Sequence, residues 1–251
     1  MKKIKNQLVG LDPRFHYRGL NQTRIETFSD AVFAFSVTLV VLSSSVPKTF
    51  AELMESFREI IPFFFCVVLI VVIWYQHYTF FLRYGMQDKK TVLINTFLLF
   101  VLLIYVYPLK FLMTFLFELY AGMANGDLTR FNTLYADGVN ARTLMMAYGF
   151  GAAAIFVAMA WLYRHAYNRR EALGLDEYES YSTKISIWVN LLLSAIPFFS
   201  GLISLIEPFG QTKINFIIAG FIYMLYPPVM IFFGRRFKKQ TERRFGANYQ
   251  P

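Results

Sequence analysis

Residues 24–46 read RIETFSDAVFAFSVTLVVLSSSV, and the fold turns on this stretch. Arg24 to Asp30 pack three charged and two hydroxyl side chains into about two helical turns. Ala31 to Leu42 are apolar except for Ser36 and Thr38. Continued to Val46, the run is long enough to cross a hydrocarbon layer of roughly 30 Å as a helix. Asp30 then lies just inside the hydrocarbon edge, where a carboxylate must face protein or water and hold a partner. Taken alone, the motif reads as a structural cap on a membrane helix.

The rest of the chain agrees with a membrane setting. Of 251 residues, 56% are hydrophobic and 19% aromatic, while 16% are charged. A soluble domain carries roughly 25% charge, so composition alone favours the bilayer. The net charge of +9 sits in short segments between apolar runs, which suits basic cytoplasmic loops better than nucleic-acid binding. One cysteine, Cys66, inside an apolar run excludes an intrachain disulfide, and no Cys-based metal site is expected. The N-terminal residues are charged and lack the apolar core of a cleaved signal peptide, so the mature helices must drive insertion.

The pattern predicts an all-α membrane protein, one domain over residues 1–251 with six spans: 24–46, 50–81, 91–119, 142–166, 183–206 and 212–237. Thr23-x-x-Glu26 fits a capping box and starts the first helix at Arg24. Thr49-x-x-Glu52 is a second box, opening an amphipathic turn that leads into the second span. Residues 120–142 read as a polar loop with a short helix, and 164–184 as a helical extension with a turn at Gly174. Prolines within spans are read as kinks without function. Gly149 and Ala153, four apart, read as close helix packing rather than part of a carbonyl filter.

Lys and Arg set the orientation. One side holds Lys2, Lys3, Lys5, Arg14, Arg18, Arg24, Arg83, Lys89, Lys90, Arg164, Arg169, Arg170, Lys184 and the basic run Arg235 to Arg244; the other holds Lys48, Arg58, Arg130, Arg142 and Lys213. This asymmetry puts both termini in the cytoplasm, here of a cell (inner) membrane.

Asp30, His77, Asn95 and Asn190 then fall in one layer near the cytoplasmic face. Donors for Asp30 are available from Arg24, His77 and Asn95, and a structural network centred on Ser29-Asp30 is expected. Lys110 lies toward the outer end of the third span and is read as snorkelling outward. His16 and His165 fall in polar segments and read as solvated. No catalytic motif is present, and an enzyme is not expected.

At period 3.5, Phe28, Ala31, Phe35, Thr38, Leu42 and Ser45 share one stripe of the first helix, with Ser29, Ser36 and Ser43 beside it. Such a stripe is either ordinary packing or, in a symmetric oligomer, a pore wall. Apolar constrictions gate by dewetting, and hydroxyl rings replace part of an ion's hydration shell.

Arg24-x-x-x-Phe28-Ser29-Asp30 at the start of a first membrane helix resembles the signature of the transmembrane-protein-175 family of potassium channels. The span count and the missing carbonyl filter match its bacterial members. The resemblance implies a homotetramer with the first helix lining the pore, and leak-like, potassium-selective conduction. It implies constriction residues at Phe35, Leu39 and Leu42, a selectivity hydroxyl at Thr38 with transient K+ beside it, and His77 and Asn95 as partners tying the Arg24, Phe28, Ser29 and Asp30 motif to neighbouring helices. The implied partners are three further copies of the chain and membrane lipid, without cofactor, resident metal or nucleic acid. The family usually has Ile or Leu where Phe35 stands. The alternative is a proton-coupled secondary transporter using Asp30 and His77 as a relay and Lys110 near a substrate; against it, the two halves of the chain show no matching repeat.

Overall fold

The computed structural model describes residues 12, 14–42, 47–134, 138–206, 208 and 212–246. The chain runs through α1 (Arg24–Leu42), α2 (Phe50–Arg58), α3 (Ile60–Tyr84), α4 (Lys89–Asn125) and α5 (Thr129–Leu134). It continues through α6 (Gly138–Asn168), α7 (Glu177–Ile206), α8 (Thr212–Phe221), a 3₁₀ turn (Ile222–Leu225) and α9 (Tyr226–Phe245). No strand occurs among the described residues. Among the described residues, six helical stretches are long and apolar enough to cross a membrane: Arg24–Leu42, Ile60–Tyr84, Lys89–Val106, Arg142–Asn168, Glu177–Ile206 and Ile217–Phe245. This is a multi-pass membrane protein.

Local chemistry sets most boundaries. At the start of α1, Thr23 N–H donates to Glu26 Oε1 at 3.1 Å and Glu26 N–H donates back to Thr23 Oγ1 at 3.3 Å. This reciprocal pair satisfies two amides that the first turn leaves open. Gly85 ends α3 in the left-handed region at φ 57°, its N–H reaching Phe81 O. The expected turn at Gly174 is present, with φ 58°.

Three predicted spans differ in detail. The second is broken: α2 stops at Arg58, and Glu59 separates it from α3, which Pro62 enters in its first turn. Proline is tolerated there because that turn's N–H groups have no helical acceptor. The third runs on as α4 to Asn125. The sixth is interrupted by the 3₁₀ turn before Pro227 and Pro228, which need no intrahelical N–H at the start of α9. The terminal residues of the first predicted span, 43–46, lie outside the described residues.

Packing is most extensive between α6 and α7. Gly149 makes this possible: a Cβ there would lie 2.6 Å from Pro197 O and 2.6 Å from Gly201 N. α4 leans on α6, and α1 packs on α3 and α4. A strap from Arg14 to Gln22 precedes α1 and pairs with the last turn of α3, through Arg18 N–H to Arg83 O (3.3 Å) and Gly19 N–H to Leu82 O (3.0 Å). Gly19 sits so close to the Phe81 carbonyl that a side chain would collide with backbone. The two ends of the described chain meet at the start of α7. Tyr178 bonds Asp12 and its ring meets Phe245, while Arg244 pairs with Glu177 at 2.6 Å. Both ends therefore lie on one face of the bundle, as an even number of spans requires.

Candidate pore face and the polar layer behind it

Helix α1 has two faces. Glu26, Ser29, Phe33, Ser36 and Val40 are buried, recurring at steps of three and four against α3 and α4. The opposite stripe is open: Phe28 is 64% exposed, Phe35 53% and Leu42 69%, with Ala31 and Thr38 also exposed. Large apolar side chains on one continuous stripe thus stay more than half uncovered by the described residues of the subunit. Leu39 does not sit with them. It is half-buried and packs on the subunit's own core, so within one chain it stands behind the stripe rather than on it.

Ser36 and Thr38 show how hydroxyls behave on the two faces. Ser36 Oγ donates to Val32 O at 2.8 Å and is sealed in the interface. Thr38 Oγ1 donates to Ala34 O at 3.2 Å. Its proton is thereby committed to the backbone, and its oxygen lone pairs remain available to a cation at the open face.

Behind α1 lies a buried polar chain. Asn95 Nδ2 donates to Ser29 Oγ at 2.9 Å, and Ser29 Oγ donates on to Ile25 O at 2.8 Å. Asn95 Oδ1 lies 2.7 Å from His77 Nε2. An amide oxygen only accepts, so the proton resides on His77 Nε2. The expected link between the motif and its neighbours is therefore made by Ser29, Asn95 and His77, across α1, α4 and α3.

Asp30 is not its centre. Its carboxylate accepts from Trp74 Nε1 at 2.8 Å and Gln22 Nε2 at 3.1 Å. One residue along a helix turns the side chain by about 100°, so Ser29 faces the core while Asp30 faces its edge. Arg24 is exposed and is not among the donors to Asp30. Asn190 turns back to Ser186 O on its own helix at 2.9 Å.

Other charges are paired where sequence placed them in solvent or lipid headgroups. Lys110 is mostly buried and meets Glu59 at 2.5 Å, and Arg58 meets Glu118 at 3.0 Å. These two pairs fasten the α2–α3 corner to α4. His165 is buried and bonds Asp88 at 2.8 Å rather than water. Burial raises the Asp88 carboxyl, but Thr91 and His165 outweigh it and hold the group below the ordinary carboxylate range. Its stabilising contribution is thus present above the ordinary carboxylate pKa and fades as pH falls through the lowered value.

The polar chain yields a test. Asn95→Leu keeps the branched shape, in a somewhat larger apolar side chain, but leaves the His77 N–H buried without its acceptor. The expected loss is about 1–3 kcal/mol, read as a lower melting temperature in detergent. An unchanged melt would mean that the chain contributes nothing to holding α1.

The family model of the endosomal/lysosomal potassium channel TMEM175 matches residues 24–108, from the start of α1 into α4. A potassium channel from Marivirga tractuosa is 52% identical over 246 residues, covering 97% of this chain and 98% of the relative. The solved structure of the potassium channel MtTMEM175, a T38A variant in complex with a nanobody–MBP fusion, is 53% identical. It superposes with a TM-score of 0.80 over 92% of this chain and 100% of that one. A lysosomal potassium-selective channel TMEM175 homolog from Chamaesiphon minutus is more remote, at 22% identity and a TM-score of 0.45 over 80% and 95% of the two chains. With half its residues shared along nearly the whole length of a bacterial potassium channel, this chain belongs to the TMEM175 potassium-channel family, among its bacterial members.

Proposed function

We propose that the chain is one subunit of a homotetrameric, potassium-selective, leak-like channel in the cell (inner) membrane, with both termini cytoplasmic. The observation that carries this reading is the open stripe on α1. Four copies brought around a symmetry axis would cover Phe28, Ala31, Phe35, Thr38 and Leu42, which a single subunit leaves bare. Phe35 and Leu42 then form apolar bottlenecks, Thr38 a ring of hydroxyl oxygens, and Leu39 lines the wall from behind them.

Physics assigns these rings different tasks. An apolar neck expels water and blocks a hydrated ion, so Phe35 controls rate. A cation at Thr38 has shed part of its hydration shell. Neutral hydroxyls repay that loss better for potassium, which holds its water less tightly than sodium does. No carbonyl filter and no cofactor are needed; the permeant ion is K+.

The experiment is reversal potential in opposed potassium and sodium gradients across a reconstituted bilayer. Potassium selectivity with unitary current steps is expected; absent current and absent liposome flux would end the proposal. Thr38→Ala is expected to bring the potassium-to-sodium permeability ratio down several-fold, each tenfold being worth about 1.4 kcal/mol. A ratio that does not move removes Thr38 from selectivity. Saturable uptake driven by a pH gradient would instead favour the transporter reading. Its Asp30–His77 relay has little structural support, since Asp30 bonds Trp74 and Gln22 while His77 bonds Asn95.

A further inference from the structure

A second group of polar side chains lies away from the stripe, where the strap before α1 meets the turn between α6 and α7. Asp176 and Glu179 form a reciprocal capping box at the start of α7. Glu179 N–H donates to Asp176 Oδ1 at 2.7 Å, and Asp176 N–H donates to Glu179 Oε2 at 3.1 Å. This leaves Asp176 Oδ2, which is buried and accepts no hydrogen bond among the described residues. His16 of the strap places Nδ1 at 3.8 Å from that oxygen and 3.4 Å from Glu179 Oε1. All three atoms lie within 4.8 Å of one another.

One imidazole nitrogen and two carboxylate oxygens at this spacing suit a borderline divalent ion, whose bonds run about 2.0–2.2 Å. His16 is exposed, and its backbone N–H donates to Glu179 Oε1 at 2.7 Å, which keeps its imidazole beside the two carboxylates. Arg18 faces the same group and must be reckoned with. It grips Glu179 Oε2 through Nη2 at 2.7 Å, and its Nη1 is shared between Glu179 Oε1 at 3.0 Å and the His16 carbonyl at 2.6 Å. The longer arm is the one an ion displaces; the shorter contacts keep Glu179 oriented, as partners behind a metal ligand do.

We propose that His16, Asp176 and Glu179 form a site for a divalent transition-metal ion of the zinc class, one per subunit. The ion clamps the strap to the α6–α7 turn. Because the strap runs directly into α1 and is bonded to the end of α3, occupancy tethers the foot of α1 to the other half of the bundle. The binding claim stands apart from the pore reading, and only an effect on current would depend on both.

The test uses the full chain in detergent, stripped of metal, with zinc chloride titrated during thermal unfolding and magnesium chloride as control. Zinc is expected to raise the melting temperature; at a hundred times its dissociation constant the folding equilibrium shifts about a hundredfold. Elemental analysis should find one zinc per chain. His16→Ala is expected to abolish both the shift and the bound zinc. Asp176→Asn keeps an oxygen for the α7 cap while removing the charged ligand, so it tests the site without uncapping the helix, and it should lose the shift as well. Both variants should keep their metal-free potassium flux. No shift in the unaltered chain, an equal shift from magnesium, or a zinc shift that survives either substitution overturns the site.

Discussion

Phe35→Ala should raise potassium flux through the reconstituted channel by roughly tenfold or more, a barrier change of about 1.4 kcal/mol or above. In the proposed tetramer, four aromatic rings meeting at an axis would make a neck too narrow and too apolar to stay wet. Truncation to a methyl group widens the neck and lets water follow the ion. The prediction is clean because Phe35 is 53% exposed and does not belong to the subunit's buried core. Substitutions at such positions rarely move stability beyond about 0.5 kcal/mol. Flux should therefore change while the melting temperature does not. A Phe35 that faced lipid would give the opposite pattern for flux: no change on truncation. Potassium flux into liposomes at matched protein density, alongside a thermal melt, decides between them.

That Phe35 and Thr38 share a face was legible from spacing, since steps of three and four recur along α1. Which of its faces the subunit buries was not, because two stripes of α1 carry the same period. The stripe of Ser29, Phe33, Ser36 and Val40 won the core. Its small hydroxyls bond their own backbone and let α3 and α4 approach. Starts of helices were readable wherever side chains satisfy backbone locally, as at Thr23 and Glu26. A related pattern, Asp-x-x-Glu, stood at Asp176 and Glu179 and was the available signal for the start of α7.

Partners were harder to read, because they depend on helix rotation and on residues remote in sequence. The expected network was centred on the Ser29–Asp30 pair; one residue of rotation kept Ser29 in it and turned Asp30 to Trp74 and Gln22. His165 lies in a charged segment, but its acceptor, Asp88, is 77 positions away. Lys110 reads from sequence as snorkelling outward, but the α2–α3 corner brings Glu59 to its ammonium instead. That corner carries no glycine; its visible cues were Pro62, three residues on, and the separate amphipathic turn opened at Thr49.

Gly149→Val should damage the fold more than any other single change considered. A Cβ at this position lies 2.6 Å from Pro197 O, 2.6 Å from Gly201 N and 2.7 Å from Gly201 Cα. All three are backbone atoms, so no rotamer change relieves the clash, and α6 must move away from α7. Small residues are what let membrane helices pack by direct backbone approach. Overpacking costs about 1–3 kcal/mol, occasionally more, and for a chain of this size each kcal/mol lowers the melting temperature by roughly 2–4 °C. Gly220→Ala is the control, because nothing lies within 4 Å of a Cβ there. An unchanged melt for Gly149→Val would mean that α6 and α7 are not held this close. Because α1 packs on α3 and α4 rather than on this pair, the folded fraction of Gly149→Val should keep the parent's potassium-to-sodium ratio. The two substitutions then separate the layers of the molecule: one alters passage without loosening the bundle, the other loosens the bundle without altering which ion passes.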